Sequence, residues 1–146
     1  MNLFTASGWS PLRNNWDQFL EVNLGSVTPV YGLVVAGNPL TRERITAFNV
    51  QYSKDDTIWT DLPTDPMDPS SPPKVFQGPL SPVEEKQLIF DNPIEMQYLR
   101  IKPTNWYRAI ALRLEVIGCE LPMVPTTSTT TGRYTFLHFF LPLFYI

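Results

Sequence analysis

The stretch FLEVNLG, residues 19–25, and the stretch VYGLVVAG, residues 30–37, decide what kind of fold this chain adopts. In the first, Leu20, Val22 and Leu24 alternate with polar residues, the period of two that places one face of a β-strand in a core. The second is a nearly continuous apolar run that ends at a Gly-Asn-Pro turn, as expected of a strand inside a sandwich. Both stretches therefore predict β-strands.

The same patterns recur along the chain. Fifteen prolines break helices, and no long segment holds a clean 3.6-residue apolar period, so we expect almost no helix. Residues 61–73 contain five prolines and predict an irregular surface loop. We predict an all-β sandwich or jelly roll of about eight short strands. These lie near residues 20–24, 30–36, 48–52, 58–60, 74–76, 87–90, 97–101 and 110–117.

Composition excludes several classes of protein. A chain of 146 residues has room for one hydrophobic core. The net charge is −3 and no run of Lys or Arg occurs, so we expect no nucleic-acid partner. Because His138 is the only histidine and Cys119 the only cysteine, we expect no metal site, no cofactor and no internal disulfide.

The two ends of the chain differ from the rest. The first ten residues show no charged leader followed by an apolar run, so no signal peptide is visible. Residues 120–133 include a Thr/Ser tract and predict a linker, and residues 134–146 form an apolar tail. Thirteen residues are fewer than the roughly 20 that a membrane-spanning helix needs. A stalk with a lipid or membrane anchor and a non-native or disordered extension both stay open.

Short motifs in a fixed order identify a family. The chain carries WSP at residues 9–11, KVFQG at 74–78, YLRI at 98–101 and IALRLE at 110–115. With these motifs it resembles the discoidin, or coagulation factor V/VIII type C, family over residues 5–119. The resemblance implies a discoidin-type jelly-roll β-sandwich of about eight antiparallel strands that is extracellular, takes part in adhesion and is not an enzyme. The expected domain then covers residues 1–119 without its usual first segment.

The chain also departs from the family pattern. The family usually opens with a cysteine that pairs with the one matching Cys119, and that cysteine is absent here. We therefore predict that Cys119 is unpaired and that the domain lacks about 4 to 5 kcal/mol of stabilisation. The binding loop expected after Thr5-Ala6-Ser7 is also absent. Asp56 stands where the family usually has a turn glycine, and we expect a positive φ there, which Asp tolerates.

The resemblance points to a candidate binding loop. Residues 37–44 align with a family loop that carries an apolar tip beside basic residues, here Leu40 with Arg42 and Arg44. Such a tip enters a membrane interface while the guanidinium groups stay with phosphate or sulfate. Trp9 is a further candidate for ligand contact, with a core-capping role as its alternative.

The family implies three classes of ligand. They are a cell-surface or matrix glycan, an anionic phospholipid with peripheral membrane contact, and an extracellular protein. The alternative function is a non-binding structural or matrix-protein fragment that keeps the framework but lost a binding loop and the disulfide.

Four other residues of chemical interest are predicted to be structural. Trp59 and Trp106 fall within framework motifs, so we expect them to pack in the core and not to stack on sugars. Arg100 and Arg113 lie on predicted strands, as does Glu115, so charged pairs that hold neighbouring strands together are expected.

Overall fold

Every regular element of the described residues is a β-strand. The computed structural model describes residues 8–118. The strands are Leu20–Ala36 (β1), Arg44–Ser53 (β2), Thr60–Asp61 (β3), Phe76–Gln77 (β4), Lys86–Tyr107 (β5) and Arg113–Gly118 (β6). The prediction of an all-β fold is confirmed. Within the described residues there is no helix long and apolar enough to cross a membrane.

Several predictions concern residues that the structure does not describe. Thr5-Ala6-Ser7, Cys119, the linker 120–133 and the tail 134–146 all lie outside the described residues. The unpaired state of Cys119 and the roles of the linker and tail therefore stay predictions.

The strands are fewer and longer than predicted, six in place of about eight. The stretches 20–24 and 30–36 merge into β1, which has 17 residues, and 87–90 and 97–101 merge into β5, which has 22. In β1 the pairing register shifts between Asn23 and Thr28 instead of ending at a turn. Such bulges bend a strand without terminating it. Gly25 and Pro29, which lie between the two predicted strands, therefore belong to a bend within β1 and not to a turn between strands.

The two long strands serve both layers of a sandwich. In the first layer the first half of β1 pairs with the second half of β5, which pairs with β2. β3 and β4 pair with β2 and belong to the same layer. In the second layer the second half of β1 lies between the first half of β5 and β6. All pairings are antiparallel, and the overall order is β3-β2-β5-β1-β6.

The core lies between these two layers. Its buried cluster comprises Val22, Leu24, Val30, Leu33, Val35, Ile45, Phe48, Val50, Phe76, Phe90, Met96, Leu99, Ile101, Ile110 and Leu112. Phe48 stacks on Phe76 with ring centroids 5.6 Å apart. Trp106 is partly buried and packs against this cluster, so the prediction that it belongs to the core packing is confirmed.

The turn after β2 is held by side-chain hydrogen bonds. Asp56 has a φ of 62°, as predicted for this position. The Asp55 carboxylate accepts hydrogen bonds from the backbone N–H groups of Ile58 and Thr57, both at 2.9 Å. The bond from Ile58, followed by that from Thr57, holds the pKa of Asp55 well below its ordinary value.

This turn makes stability depend on acidity. Because the folded pKa of Asp55 is lowered, the stabilisation from its carboxylate is complete above its ordinary pKa of about 3.9 and is lost as the pH falls further. Asp55→Ala is therefore expected to lower the Tm at neutral pH, and to lower it less at a pH of about 2. Circular dichroism melts of both proteins, with exposed Asp91→Ala as the control, measure this. An equal deficit for Asp55→Ala at both pH values would contradict it.

Candidate functional site

Connecting segments meet at one end of the sandwich. The register places the end of β1 beside the starts of β5 and β6, and the start of β2 beside the end of β5. The loops attached to these strand ends therefore lie together. We call this region the loop end; it comprises residues 37–43, 78–85 and 108–112, together with residues 8–19, which contact it as described below.

The loop between β1 and β2 presents a rigid apolar tip. The buried side chain of Asn38 accepts a hydrogen bond from the backbone N–H of Leu40 at 2.9 Å. The backbone N–H of Arg42 donates to the Asn38 carbonyl oxygen at 2.9 Å, and that of Asn38 donates to the Glu43 carbonyl oxygen at 2.8 Å. These bonds close the loop and leave the Leu40 side chain 70% exposed. The tip is therefore built to project.

The two arginines predicted beside this tip differ in their surroundings. Arg42 is exposed and makes no ion pair with another residue between 8 and 118. The Nε–H of Arg44 donates to the Pro79 carbonyl oxygen at 3.1 Å, and its guanidinium lies 4.5 Å from the ring centroid of Tyr107. Arg42 is therefore available to a ligand, whereas Arg44 joins the loop between β4 and β5 to the end of β5.

A second arginine, Arg113, joins the loop between β1 and β2 to the loop between β4 and β5. The Nε–H of Arg113 donates to the Gly37 carbonyl oxygen at 2.6 Å, and its Nη2 donates to that of Pro82 at 3.4 Å. The loops touch so closely that a Cβ at Gly37 would lie 2.7 Å from the Cβ of Arg44 and 3.1 Å from the Cα of Pro82. Arg113 thus contacts backbone carbonyl groups of both loops and holds them in one arrangement.

Sequence reasoning missed the apolar tips of the loop between β4 and β5. Leu80 is 80% exposed and Val83 is 68% exposed. The Glu84 carboxylate accepts a hydrogen bond from the Leu80 backbone N–H, which closes this loop on itself. In the sequence, Leu80 and Val83 each follow a proline in a segment without strand or helix periodicity. This pattern of apolar residues in a proline-containing loop is the sequence feature that could have indicated exposed tips.

Trp9 lies at the base of the loop end. Its backbone N–H and carbonyl oxygen pair with Leu112 at 2.8 and 3.0 Å, which ties residues 8–19 to this end. The Trp9 side chain is partly buried and packs against the core cluster. This placement agrees with the core-capping role, which was the alternative to ligand contact for Trp9. The structure does not bring Trp9 to the exposed tips.

Further apolar side chains extend the exposed surface. Trp16 is 73% exposed, and its indole N–H donates to the Thr104 carbonyl oxygen at 3.2 Å. Leu12 is fully exposed, and Tyr107 is 46% exposed beside Arg108. Several large apolar side chains are thus exposed on the segments attached to the loop end, and exposed apolar surface marks an interaction site in a folded protein where it is contiguous.

A cleft elsewhere on the surface is not a better candidate. It measures about 260 Å³ and is lined by Tyr52, Ser53, Lys54, Asp55, Ile58 and Thr60. Three of its polar side chains are already engaged: Asp55 accepts backbone hydrogen bonds within the turn, the Ser53 hydroxyl oxygen accepts a hydrogen bond from the Asp56 backbone N–H at 3.0 Å, and Lys54 pairs with Glu95. The cleft therefore offers few free polar groups to a ligand.

Two structural predictions have different outcomes. The prediction that Trp59 packs in the core is wrong: its half-buried ring lies against the guanidinium of Arg100, 3.6 Å from the ring centroid. Arg100 points outward because its neighbours Leu99 and Ile101 fill the core. The prediction of a cross-strand charged pair is confirmed for Arg100, whose Nε lies 2.8 Å from the Glu21 carboxylate.

Comparison with known proteins gives consistent matches. The model of the F5/8 type C domain family matches residues 2–116. Hemocytin of Bombyx mori is 33% identical over 123 residues, which cover 84% of this chain and 4% of hemocytin. Neurexin-4 of Drosophila melanogaster is 32% identical over 114 residues, 78% of this chain and 9% of that protein. Lactadherin of Bos taurus is 30% identical over 119 residues, 77% of this chain and 26% of that protein.

A solved structure agrees in fold. Recombinant discoidin II of Dictyostelium discoideum superposes with a TM-score of 0.66 at 18% identity, covering 75% of this chain and 40% of that one. At this identity the match concerns the fold alone. The predicted discoidin-type sandwich is confirmed by it. The chain spans only between 4% and 26% of the three relatives' own lengths.

Proposed function

The chain belongs to the F5/8 type C domain family, and from this membership we propose that it is an extracellular module that docks on anionic membrane surfaces through its loop end. The family is one of non-catalytic binding modules. Family membership rests on the family match, whereas the extracellular location and the membrane ligand of this chain are our proposal.

One observation carries the proposal. Leu40, Leu80 and Val83 are exposed apolar tips on two loops that contact each other, and exposed Arg42 follows Leu40 by two residues in the first of these loops. An apolar side chain that enters an interface gains about 1.5 to 3 kcal/mol, and a basic residue near an anionic surface adds about 1 kcal/mol. The pairing of apolar tips with a cation is what peripheral membrane contact requires.

The apolar tips favour phospholipid over a sulfated glycan. Both ligands offer anionic oxygen atoms that an arginine binds. A polysaccharide in water has no hydrocarbon interior to receive aliphatic side chains, whereas a bilayer does. Leu40 and Leu80 therefore contribute fully only on a membrane.

The test compares variants of the full chain on phosphatidylserine vesicles. Leu40→Ala and Leu80→Ala are each expected to weaken binding by about tenfold. Arg42→Ala is expected to weaken it at low salt, with an effect that shrinks at high salt because exposed charges are screened. Ile58→Ala, which removes a side chain that is 73% exposed in the turn after β2, is the matched control and should bind like wild type.

The outcomes separate the alternatives. Equal binding by wild type and all three loop-end variants would exclude this region as the site. Loss only through Arg42→Ala, on sulfated glycans and with steep salt dependence, would identify a polysaccharide ligand. Failure of the wild-type chain to bind any anionic vesicle or glycan would support the non-binding structural fragment.

A further inference from the structure

Two arginines contact the ring of Tyr107 where the strands border the loop end. Arg44 lies opposite Tyr107 in the pairing of β2 with β5, and its guanidinium carbon is 4.5 Å from the centroid of that ring. The guanidinium carbon of Arg108 is 5.6 Å from the same centroid. Arg44 also donates to the carbonyl oxygen of Pro79, the residue before the exposed tip Leu80. We call Arg44, Tyr107 and Arg108 the two-arginine site; it lies next to the loop that carries this tip.

The two-arginine site offers hydrogen-bond donors to a ligand. Tyr107 and Arg108 are exposed, and Arg44 is half-buried. Arg44 uses its Nε–H alone, and neither the Tyr107 hydroxyl nor the Arg108 guanidinium is hydrogen-bonded to another residue in the range 8–118. A guanidinium has five N–H donors and no acceptor. The amino groups of Arg44 and all the donors of Arg108 therefore suit an anion.

The carboxylates of the adjoining loops do not neutralise these two charges. Neither Arg44 nor Arg108 forms an ion pair within the described part of the chain. Glu43 accepts a hydrogen bond from the Thr41 hydroxyl at 2.7 Å, and Glu84 accepts one from a backbone N–H of its own loop. Two like charges beside one ring repel each other, and a bound anion offsets that repulsion.

The backbone at Arg108 is strained. Its φ is 65°, and the Ala109 backbone N–H donates to the Tyr107 carbonyl oxygen at 2.9 Å. A hydrogen bond between residues i and i+2 around a positive φ forms a γ-turn of the rare, strained kind, which glycine adopts more readily than arginine. Strained residues cluster at ligand-binding sites. An arginine where glycine would be less strained therefore points to a role for its side chain.

We infer that the two-arginine site binds the phosphomonoester group of a lipid headgroup and prefers it to the phosphodiester of phosphatidylserine, an inference that rests on the proposed membrane docking. A phosphomonoester carries a charge of about −1.5 to −2 at pH 7 and three acceptor oxygens, which match two guanidinium groups and a hydroxyl. The phosphatidylserine headgroup adds an ammonium group, for which this donor set supplies no anionic acceptor. Leu80 enters the bilayer beside the bound headgroup.

The first test compares two kinds of vesicle that carry equal surface charge, one with phosphatidic acid and one with phosphatidylserine. The full chain should bind the phosphatidic acid vesicles about fivefold more tightly. Arg108→Gln removes the charge but keeps the strained backbone, and it should abolish this preference. Lys54→Gln is the matched control, because it removes the same charge at the opposite end of β2 from Arg44, and it should keep the preference.

A second variant separates binding from folding. Arg108→Gly relieves the strained φ, so it should melt no lower than wild type in circular dichroism and still lose the preference as fully as Arg108→Gln. Tyr107→Phe keeps the ring and removes the hydroxyl, so it should lose part of the preference. Retention of the full preference by either Arg108 variant would overturn the inference, as would equal binding of the wild-type chain to the two kinds of vesicle.

Soluble glycerol 3-phosphate tests the site without a membrane. Its ³¹P resonance at millimolar concentrations should shift in the presence of the wild-type chain and stay in place with Arg108→Gln. Absence of a shift with the wild-type chain would overturn the two-arginine site, whereas vesicle binding without that shift would leave the membrane docking standing. A shift without binding to any vesicle would overturn the membrane docking and, with it, a lipid as the source of the phosphate.

Discussion

Two copies of this domain joined by a flexible linker are expected to bind phosphatidylserine vesicles about 10² to 10⁴ times more tightly than one copy. One copy offers few insertable side chains, chiefly Leu40, Leu80 and Val83, so its affinity should be modest. After the first copy binds, the second is confined near the same surface and its binding becomes effectively intramolecular. A Gly/Ser linker of about 20 residues spans roughly 25 Å on average and leaves both copies free to dock.

The control for this prediction is a tandem protein with one disabled copy. Leu40→Ala/Leu80→Ala in the second copy should return the affinity to that of a single domain, measured by vesicle sedimentation. Equal gains from the intact and the disabled tandem would show that the increase comes from something other than the loop end. No gain from the intact tandem would contradict the proposed weak, surface-directed binding.

Replacing Phe48 by alanine is expected to cost about 3 to 5 kcal/mol of folding free energy. Phe48 is fully buried and stacks on Phe76 at 5.6 Å, at the point where β2 pairs with both β4 and β5. The substitution removes buried apolar surface and leaves a cavity that rigid neighbouring strands cannot close. Typical domains have only about 5 to 15 kcal/mol in total, so the substitution would remove a large fraction of the stability of this chain.

Urea unfolding followed by fluorescence measures this cost. Phe48→Leu, which keeps most of the apolar volume, should lose less, and Leu12→Ala at a fully exposed position should stay within about 0.5 kcal/mol of wild type. If Cys119 is unpaired as predicted, the missing cross-link leaves a smaller margin, and Phe48→Ala then unfolds at low urea. A loss below about 1 kcal/mol would mean that the core between β2 and β4 tolerates the cavity.

Half of the candidate site could be predicted from sequence. Leu40 and Arg42 stand in a loop that the family resemblance marks, and both are exposed there. Leu80 and Val83 could not be found in the same way, because they lie in a segment without periodicity. Their loop contacts the loop of Leu40 because strands from distant parts of the chain pair and bring the two loops together.

The sequence by itself determined the β-class, the strand positions and the turn conformation at Asp56, because alternation of apolar residues and turn chemistry act over a few neighbouring residues. Only the tertiary structure decided that predicted strands merge into β1 and β5, since a bulge or a turn depends on what pairs with the bend. It also decided that Trp59 lies outside the core whereas Trp106 packs against it. Each such outcome depends on partners distant in the chain, and shifting the register by one residue reverses which face a side chain occupies.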